Sequence, residues 1–177
     1  MAIFNIKKGV DISLPNPPVL KFVECEDSSK VVFHPNLLNQ LKVKLLVKQG
    51  DSVFVGSPLY IDKTNPEVKF VSSVSGTVDS IIFGKRRVVE AISISNDGSY
   101  DHIKEKINLN YSMSSDKIKS IFAESGMLSM IRQFPFDKVA SPDKNPKCIV
   151  VTMFDSAPYA PDTSCLLSDE NFQMFKK

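Results

Sequence analysis

The sequence predicts a mixed α+β chain, an all-β N-terminal part followed by helices and the start of a truncated α/β domain. Three observations carry this. Five of the seven glycines fall between Gly50 and Gly98, separated by short runs rich in β-branched residues. After Asn96-Asp97-Gly98 the glycines nearly cease and helix-start signals take over. A continuous apolar run, Cys148-Ile149-Val150-Val151-Thr152-Met153-Phe154, then follows a polar loop flanked by Pro142 and Pro146.

The β-rich part reads as short strands over 42–47, 52–55, 58–61, 67–72, 76–82 and 87–95. Apolar and polar residues alternate in Lys42-Val43-Lys44-Leu45 and Ala91-Ile92-Ser93-Ile94, as half-buried strands require. Turn signals separate the runs: Gln49-Gly50-Asp51, Gly56-Ser57-Pro58, Asn65-Pro66, Ser75-Gly76 and Phe83-Gly84-Lys85. Many short strands with regular turns predict a small sandwich or barrel. Further on, Ser114-Ser115-Asp116 opens a helix, with Ile118, Ile121 and Phe122 at helical spacing and Gly126 as its stop. A second amphipathic segment runs from Met127 to Phe134 and ends at Pro135, because proline disfavours helical geometry in the residue before it. The run 148–153 reads as a buried strand, and Ser168-Asp169-Glu170 opens a last helix that reaches Lys177 without a cap. The expected organisation is a β domain over 1–100 with an N-terminal extension, a helical linker region over 101–146, and the truncated opening of an α/β, Rossmann-like domain over 147–177. On this reading the chain is the N-terminal piece of something longer.

Composition narrows the function. With 42% hydrophobic and 24% charged residues the chain has a globular make-up. Twenty-two basic against 20 acidic residues leave +2, and the densest basic cluster is Lys85-Arg86-Arg87. A dedicated nucleic-acid binder shows a broader basic face, so nucleic acid is not an expected partner. No apolar run approaches the ~20 residues of a membrane helix. The N-terminal Met1-Ala2-Ile3-Phe4-Asn5-Ile6-Lys7-Lys8 lacks the pattern of a cleaved leader, which predicts a chain kept in the cytoplasm and able to dock on a membrane complex. Cys25, Cys148 and Cys165 form no C-x-x-C pair and read as reduced thiols; His34 and His102 have no neighbouring ligands, so no metal site is expected. No Gly-x-Gly-x-x-Gly or Gly-x-x-x-x-Gly-Lys-Ser/Thr loop is present to cradle a pyrophosphate. No Ser-His-Asp or Cys-His set stands out. Neither catalytic nor cofactor-binding residues are expected in this chain.

Val47-x-x-Gly50-Asp51-x-Val53-x-x-Gly56-x-Pro58-Leu59, with Ser73-Val74-Ser75-Gly76-Thr77-Val78, resembles the biotinyl/lipoyl domain, a barrel-sandwich hybrid. In that family a modified lysine sits at the tip of the hairpin between the positions of Gly56 and Gly76. Asn65 and Pro66 occupy that place here, while Lys63 and Lys69 lie to either side. The scaffold is kept without the swinging arm. A lipoyl or biotinyl carrier module is the alternative reading, and a mass increment on Lys63 or Lys69 would reveal it.

Several blocks together carry a narrower resemblance. They are Ile6-Lys7-Lys8-Gly9-Val10-Asp11-Ile12, Asp62-Lys63-x-Asn65-Pro66-x-Val68-x-Phe70, Gly84-Lys85-Arg86-Arg87-Val88, Glu124-Ser125-Gly126-Met127-Leu128, Arg132-Gln133-Phe134-Pro135-Phe136-Asp137-Lys138-Val139, and Ile149-Val150-Val151-Thr152-Met153 with Asp155-x-x-Pro158. In this order they resemble the NqrA family, the A subunits of the bacterial Na⁺-translocating NADH:quinone reductase (Nqr). The chain departs from the family at Met127-Leu128-Ser129, where a tryptophan is usual, at Ala140 in place of proline, and at Asn16-Pro17-Pro18, which lacks a glycine. The related C subunit of Rnf electron-transfer complexes shares the scaffold and is a further alternative.

The resemblance implies a non-redox cytoplasmic subunit, peripheral on the cytoplasmic face of the bacterial inner membrane. It implies the membrane-embedded B subunit and the other subunits of the Nqr complex as partners, a quinone nearby, and respiratory electron transfer coupled to sodium export. NADH, flavins, an iron–sulfur centre and the quinone are implied in or with other subunits. Two residue sets become candidates for contact. Lys85, Arg86 and Arg87 offer an electrostatic contact with a partner protein or anionic lipid. Arg132, Phe134, Phe136 and Lys138 offer a quinone-proximal or subunit-interface surface, unless the two phenylalanines are instead core plugs.

Overall fold

A computed structural model describes residues 15–16, 19, 21, 23–104, 112–152 and 157–160. Among the described residues before 100 there are seven strands: β1 Lys30–Phe33, β2 Val43–Leu45, β3 Ser52–Val53, β4 Pro58–Asp62, β5 Lys69–Val71, β6 Gly76–Phe83 and β7 Val89–Asn96. They build a four-stranded sheet in the order β1-β7-β6-β3 and a three-stranded sheet in the order β2-β4-β5, with every neighbouring pair antiparallel. Helix α1, Ser115–Glu124, follows, then a 3₁₀ turn over Met127–Met130 and a hairpin of β8, Arg132–Gln133, and β9, Lys138–Val139.

Within the two sheets each strand sits on one of the sequence-predicted runs except β1, whose four residues escape a periodicity argument; β8 and β9 sit on none. β1 forms because Val31 and Val32 pair with Ile94 and Ser93 of β7, which makes β7 a central strand. That position explains why Ala91, Ile92, Ser93 and Ile94 are buried in succession: a strand hydrogen-bonded on both sides and covered on both faces loses the alternation of a half-exposed one. Leu59, Val68, Val78, Ile92 and Ile94 form the centre of the core, with Val53, Tyr60, Phe70, Val74 and Val89 around them. Tyr60 and Phe70 face one another across β4 and β5, stacked with centroids 4.6 Å apart. Burial pushes the Tyr60 phenol up to about 12, because the phenolate would lose its hydration.

Two glycines explain how the elements meet. Gly76, at φ +145°, lies so close to β7 that a Cβ would stand 1.9 Å from the Ser95 carbonyl oxygen. Beside it the Ser75 hydroxyl donates to Asp97 at 2.6 Å, and that bond, with those from Ser99, holds the Asp97 carboxyl below its usual range. Gly126, at φ +80°, ends α1 in the left-handed conformation, and its missing side chain admits Val71 of β5. The other end of α1 is capped by Ser114, whose hydroxyl accepts from the Lys117 amide. Ala123 and Leu128 enter the same core as the sheets, and Glu26–Pro146 is accordingly one compact unit.

Two expectations are corrected. The segment from Met127 is a 3₁₀ turn that stops at Met130, and the chain then enters β8. Ile131 and Val139 pack on the core, which favours a hairpin over a continued helix. The run 148–153 is not a buried strand: its described residues, 148–152, have no strand structure and are exposed. A strand buried on both faces needs ladder partners and covering layers, and among the described residues nothing supplies a ladder there. These residues belong to a second compact unit, Met1–Cys25 with Lys147–Lys177. Within it the Tyr159 hydroxyl donates to the Pro15 carbonyl at 2.7 Å. The sequence readings for 6–12, Cys165 and the helix opening at Ser168 lie outside the described residues. No helix among the described residues is long and apolar enough to cross a membrane.

Candidate functional site

The arm position of the carrier resemblance falls on the β4–β5 turn. The Val68 amide closes that turn on the Asn65 carbonyl, and the Thr64 amide donates to the Asp62 carboxylate. The apex therefore carries Asn65 and Pro66. Lys63 is exposed but directly follows β4, with its backbone amide bonded to the Lys42 carbonyl. Lys69 lies within β5, paired with Ile61. Neither amine stands at the tip, where an arm would swing freely.

The β6–β7 turn presents the basic cluster. Lys85, Arg86 and Arg87 form a 3₁₀ turn with all three side chains exposed. Arg86 and Arg87 are left-handed at φ 56° and 58°, and the Gly84 amide donates to the Val88 carbonyl at 2.8 Å to close the hairpin. Among the described residues none of the three cations forms an ion pair; the ion pairs there are Lys30–Asp79 and Lys119–Asp116.

The β8–β9 hairpin gathers the second set. Arg132 pairs with Val139 and Gln133 with Lys138, so both cations flank the turn formed by residues 134–137. The two phenylalanines are not core plugs: Phe134 is 94% and Phe136 62% exposed. The hairpin's grip on the domain comes from Ile131, Val139 and Ala140, and from the Asn39 side-chain amide donating to the Asp137 carboxylate at 3.3 Å. The turn is held firmly while its rings face outward.

Sequence reasoning did not find a groove of about 340 Å³ beside the 3₁₀ turn that follows α1. Phe33, His34, Tyr60, Phe70, Met127 and Met130 line it, and its lining contains no carboxylate, ammonium or guanidinium. His34 is fixed by its Nδ1 donating to the Glu90 carbonyl at 3.2 Å. The groove's residues come from segments far apart in sequence, and no local motif joins them. Among the described residues no three His, Cys, Asp or Glu side chains come together.

Two small antiparallel sheets around one core, with glycine at the close crossings, define a barrel-sandwich hybrid. Residues 4–97 match the family model described as the NqrA N-terminal barrel-sandwich hybrid domain, and residues 113–177 match the NqrA second alpha/beta domain. The chain belongs to the NqrA family, with a mixed α+β architecture in which an α/β domain follows the β domain. Among its relatives are proteins named as the A subunit of the Na(+)-translocating NADH-quinone reductase. That of Yersinia pseudotuberculosis serotype O:1b is 28% identical over 96% of this chain. Those of Pseudomonas aeruginosa (strain UCBPP-PA14) and Haemophilus influenzae (strain PittGG) are 26% and 29% identical, over 95% and 94% of it. The chain spans 38% of the length of each of these curated relatives.

Proposed function

We propose that this chain serves in a peripheral, non-redox subunit of a Na⁺-pumping NADH:quinone oxidoreductase. It docks on the membrane-embedded B subunit near the quinone, at the cytoplasmic face of the bacterial inner membrane. Electron transfer from NADH through flavins and an iron–sulfur centre is the work of partner subunits, and this chain contributes a rigid, contact-bearing scaffold. Family membership over both matched domains is the observation that carries the reading. The β8–β9 hairpin supports it. Aromatic rings held out of the core between Arg132 and Lys138 have the amphipathic character of an interface centre, and a ring exposed as fully as Phe134 costs the free protein apolar hydration. A carrier role is disfavoured because the β4–β5 apex holds Asn65 and Pro66 where the arm lysine would stand.

Affinity purification of the full-length protein from its native membranes tests the reading. The expected result is recovery of a flavin-bearing complex with NADH:quinone reductase activity. Recovery of a free protein bearing a lipoyl or biotinyl mass increment on Lys63 or Lys69 would overturn it.

A further inference from the structure

Exposed apolar residues flank the basic turn. Ile82 and Phe83 end β6 and Val88 precedes β7, and they are 52%, 47% and 52% exposed. The cross-strand neighbours of Ile82 and Phe83, Ala91 and Val89, are buried, so the end of β6 projects past the core while that of β7 does not. The register shifts between Ile82 and Phe83 because β7 carries an extra residue, Glu90; β6 itself keeps its alternation, so Ile82 and Phe83 point to opposite faces of the sheet. Apolar surface is thus offered on both faces of one hairpin end, with Lys85, Arg86 and Arg87 at its apex. Glu90, whose carboxylate lies over Gly84, forms no ion pair with any of the three. Arg86 and Arg87 also hold a left-handed backbone that glycine or asparagine adopts at lower cost, so the chain keeps cationic side chains where local conformation argues against them.

We propose that the β6–β7 tip is a membrane-surface contact that inserts Phe83, Ile82 and Val88 among lipid headgroups while the three cations bind anionic lipid phosphates. A protein partner would cover one face of a hairpin. A headgroup layer surrounds it, which suits apolar side chains on both faces. Long basic side chains keep their charge at the phosphate level while their stems lie along apolar surface, and each basic residue near an anionic leaflet strengthens binding roughly fivefold. The tip's own geometry carries this proposal, independently of which protein of the complex the chain contacts.

Flotation of the purified chain with phosphatidylcholine vesicles, with and without phosphatidylglycerol, tests it across a salt series. Binding is expected only to the phosphatidylglycerol vesicles and should weaken as salt rises. The variant Lys85→Ser/Arg86→Ser/Arg87→Ser should bind about a hundredfold more weakly with an unchanged melting temperature. Val88→Ser, a change at a half-exposed position outside the strands, should weaken binding with the charges intact. Equal binding to both vesicle types, no binding to either, or full binding by the triple variant would overturn the proposal. Normal vesicle binding by the triple variant, together with loss of the chain from the purified complex, would assign the tip to a protein partner instead. Each of these negative results leaves the family assignment and the β8–β9 interface standing.

Discussion

The β6–β7 and β8–β9 hairpins both end in aromatic and cationic side chains held outside the core, yet they are anchored in opposite ways. β6 and β7 are eight residues each and run through the middle of the four-stranded sheet, with Ile92 and Ile94 fully buried on β7. β8 and β9 are two residues each, held by a few partly buried side chains and the Asn39–Asp137 bond. The first tip extends from a hairpin whose base is the core itself. The second is a short appendage whose turn contributes little to folding. Substitutions should therefore cost less stability the farther they lie from the β6–β7 base, and the exposed turn residues should be nearly free to change.

The largest effect is expected at the base. Ile92→Ala removes a fully buried side chain and should cost about 2–5 kcal/mol through lost burial and the cavity left behind, measured by urea denaturation. Gly76→Ala should follow closely. The new methyl would meet the Ser95 carbonyl at 1.9 Å, backbone that cannot turn aside, so a loss of roughly 3 kcal/mol and a melting temperature lower by roughly 10 °C are expected. A Gly76→Ala protein as stable as the parent would show that the two strands are not in this close register.

Tyr60 provides an intermediate test. Burial moves its phenol from an ordinary 10.0 to about 12 in the fold. A raised folded value means that the native state keeps its proton longer than the unfolded chain. The corresponding stability is fully present below pH 10 and is lost as the pH rises toward 12, by on the order of 2 kcal/mol. Tyr60→Phe should flatten that alkaline decline. Absorbance titration of the tyrosinates should likewise show a late phase near pH 12 that Tyr60→Phe removes.

The same contrast explains what the sequence made legible. The β domain could be read because glycine and proline punctuate it and because Val43 and Leu45 alternate with polar residues; the Ile92-Ser93-Ile94 pattern also marked a strand, although β7 is buried on both faces there. The capping Ser114 and the stop at Gly126 were equally local signals. The readings that failed depended on distant partners. Ile131 and Val139 turn the chain from helix to hairpin only because the sheets offer them a surface. The apolar 148–152 run carries strand propensity, yet among the described residues no strand pairs with it. The candidate contact residues were legible as motifs, but the exposure of Phe134 and Phe136 was not, since apolar rings flanking a proline serve equally well as plugs or as outward-facing side chains. The groove beside the 3₁₀ turn was invisible, because Phe33, Tyr60 and Met130 become neighbours only in the folded chain.

The smallest effect on stability is expected at Phe136, and there the proposed role is most exposed to test. Phe136→Ala should be introduced into the full-length protein and carried into the intact complex, with thermal unfolding of the isolated chain followed in parallel. The melting temperature should be unchanged within a degree or two, because the ring is mostly exposed and surface changes usually cost less than about 0.5 kcal/mol. Quinone-reductase activity of the complex, or its sensitivity to a quinone-site inhibitor, should change. A lowered melting temperature with normal quinone kinetics would contradict the account.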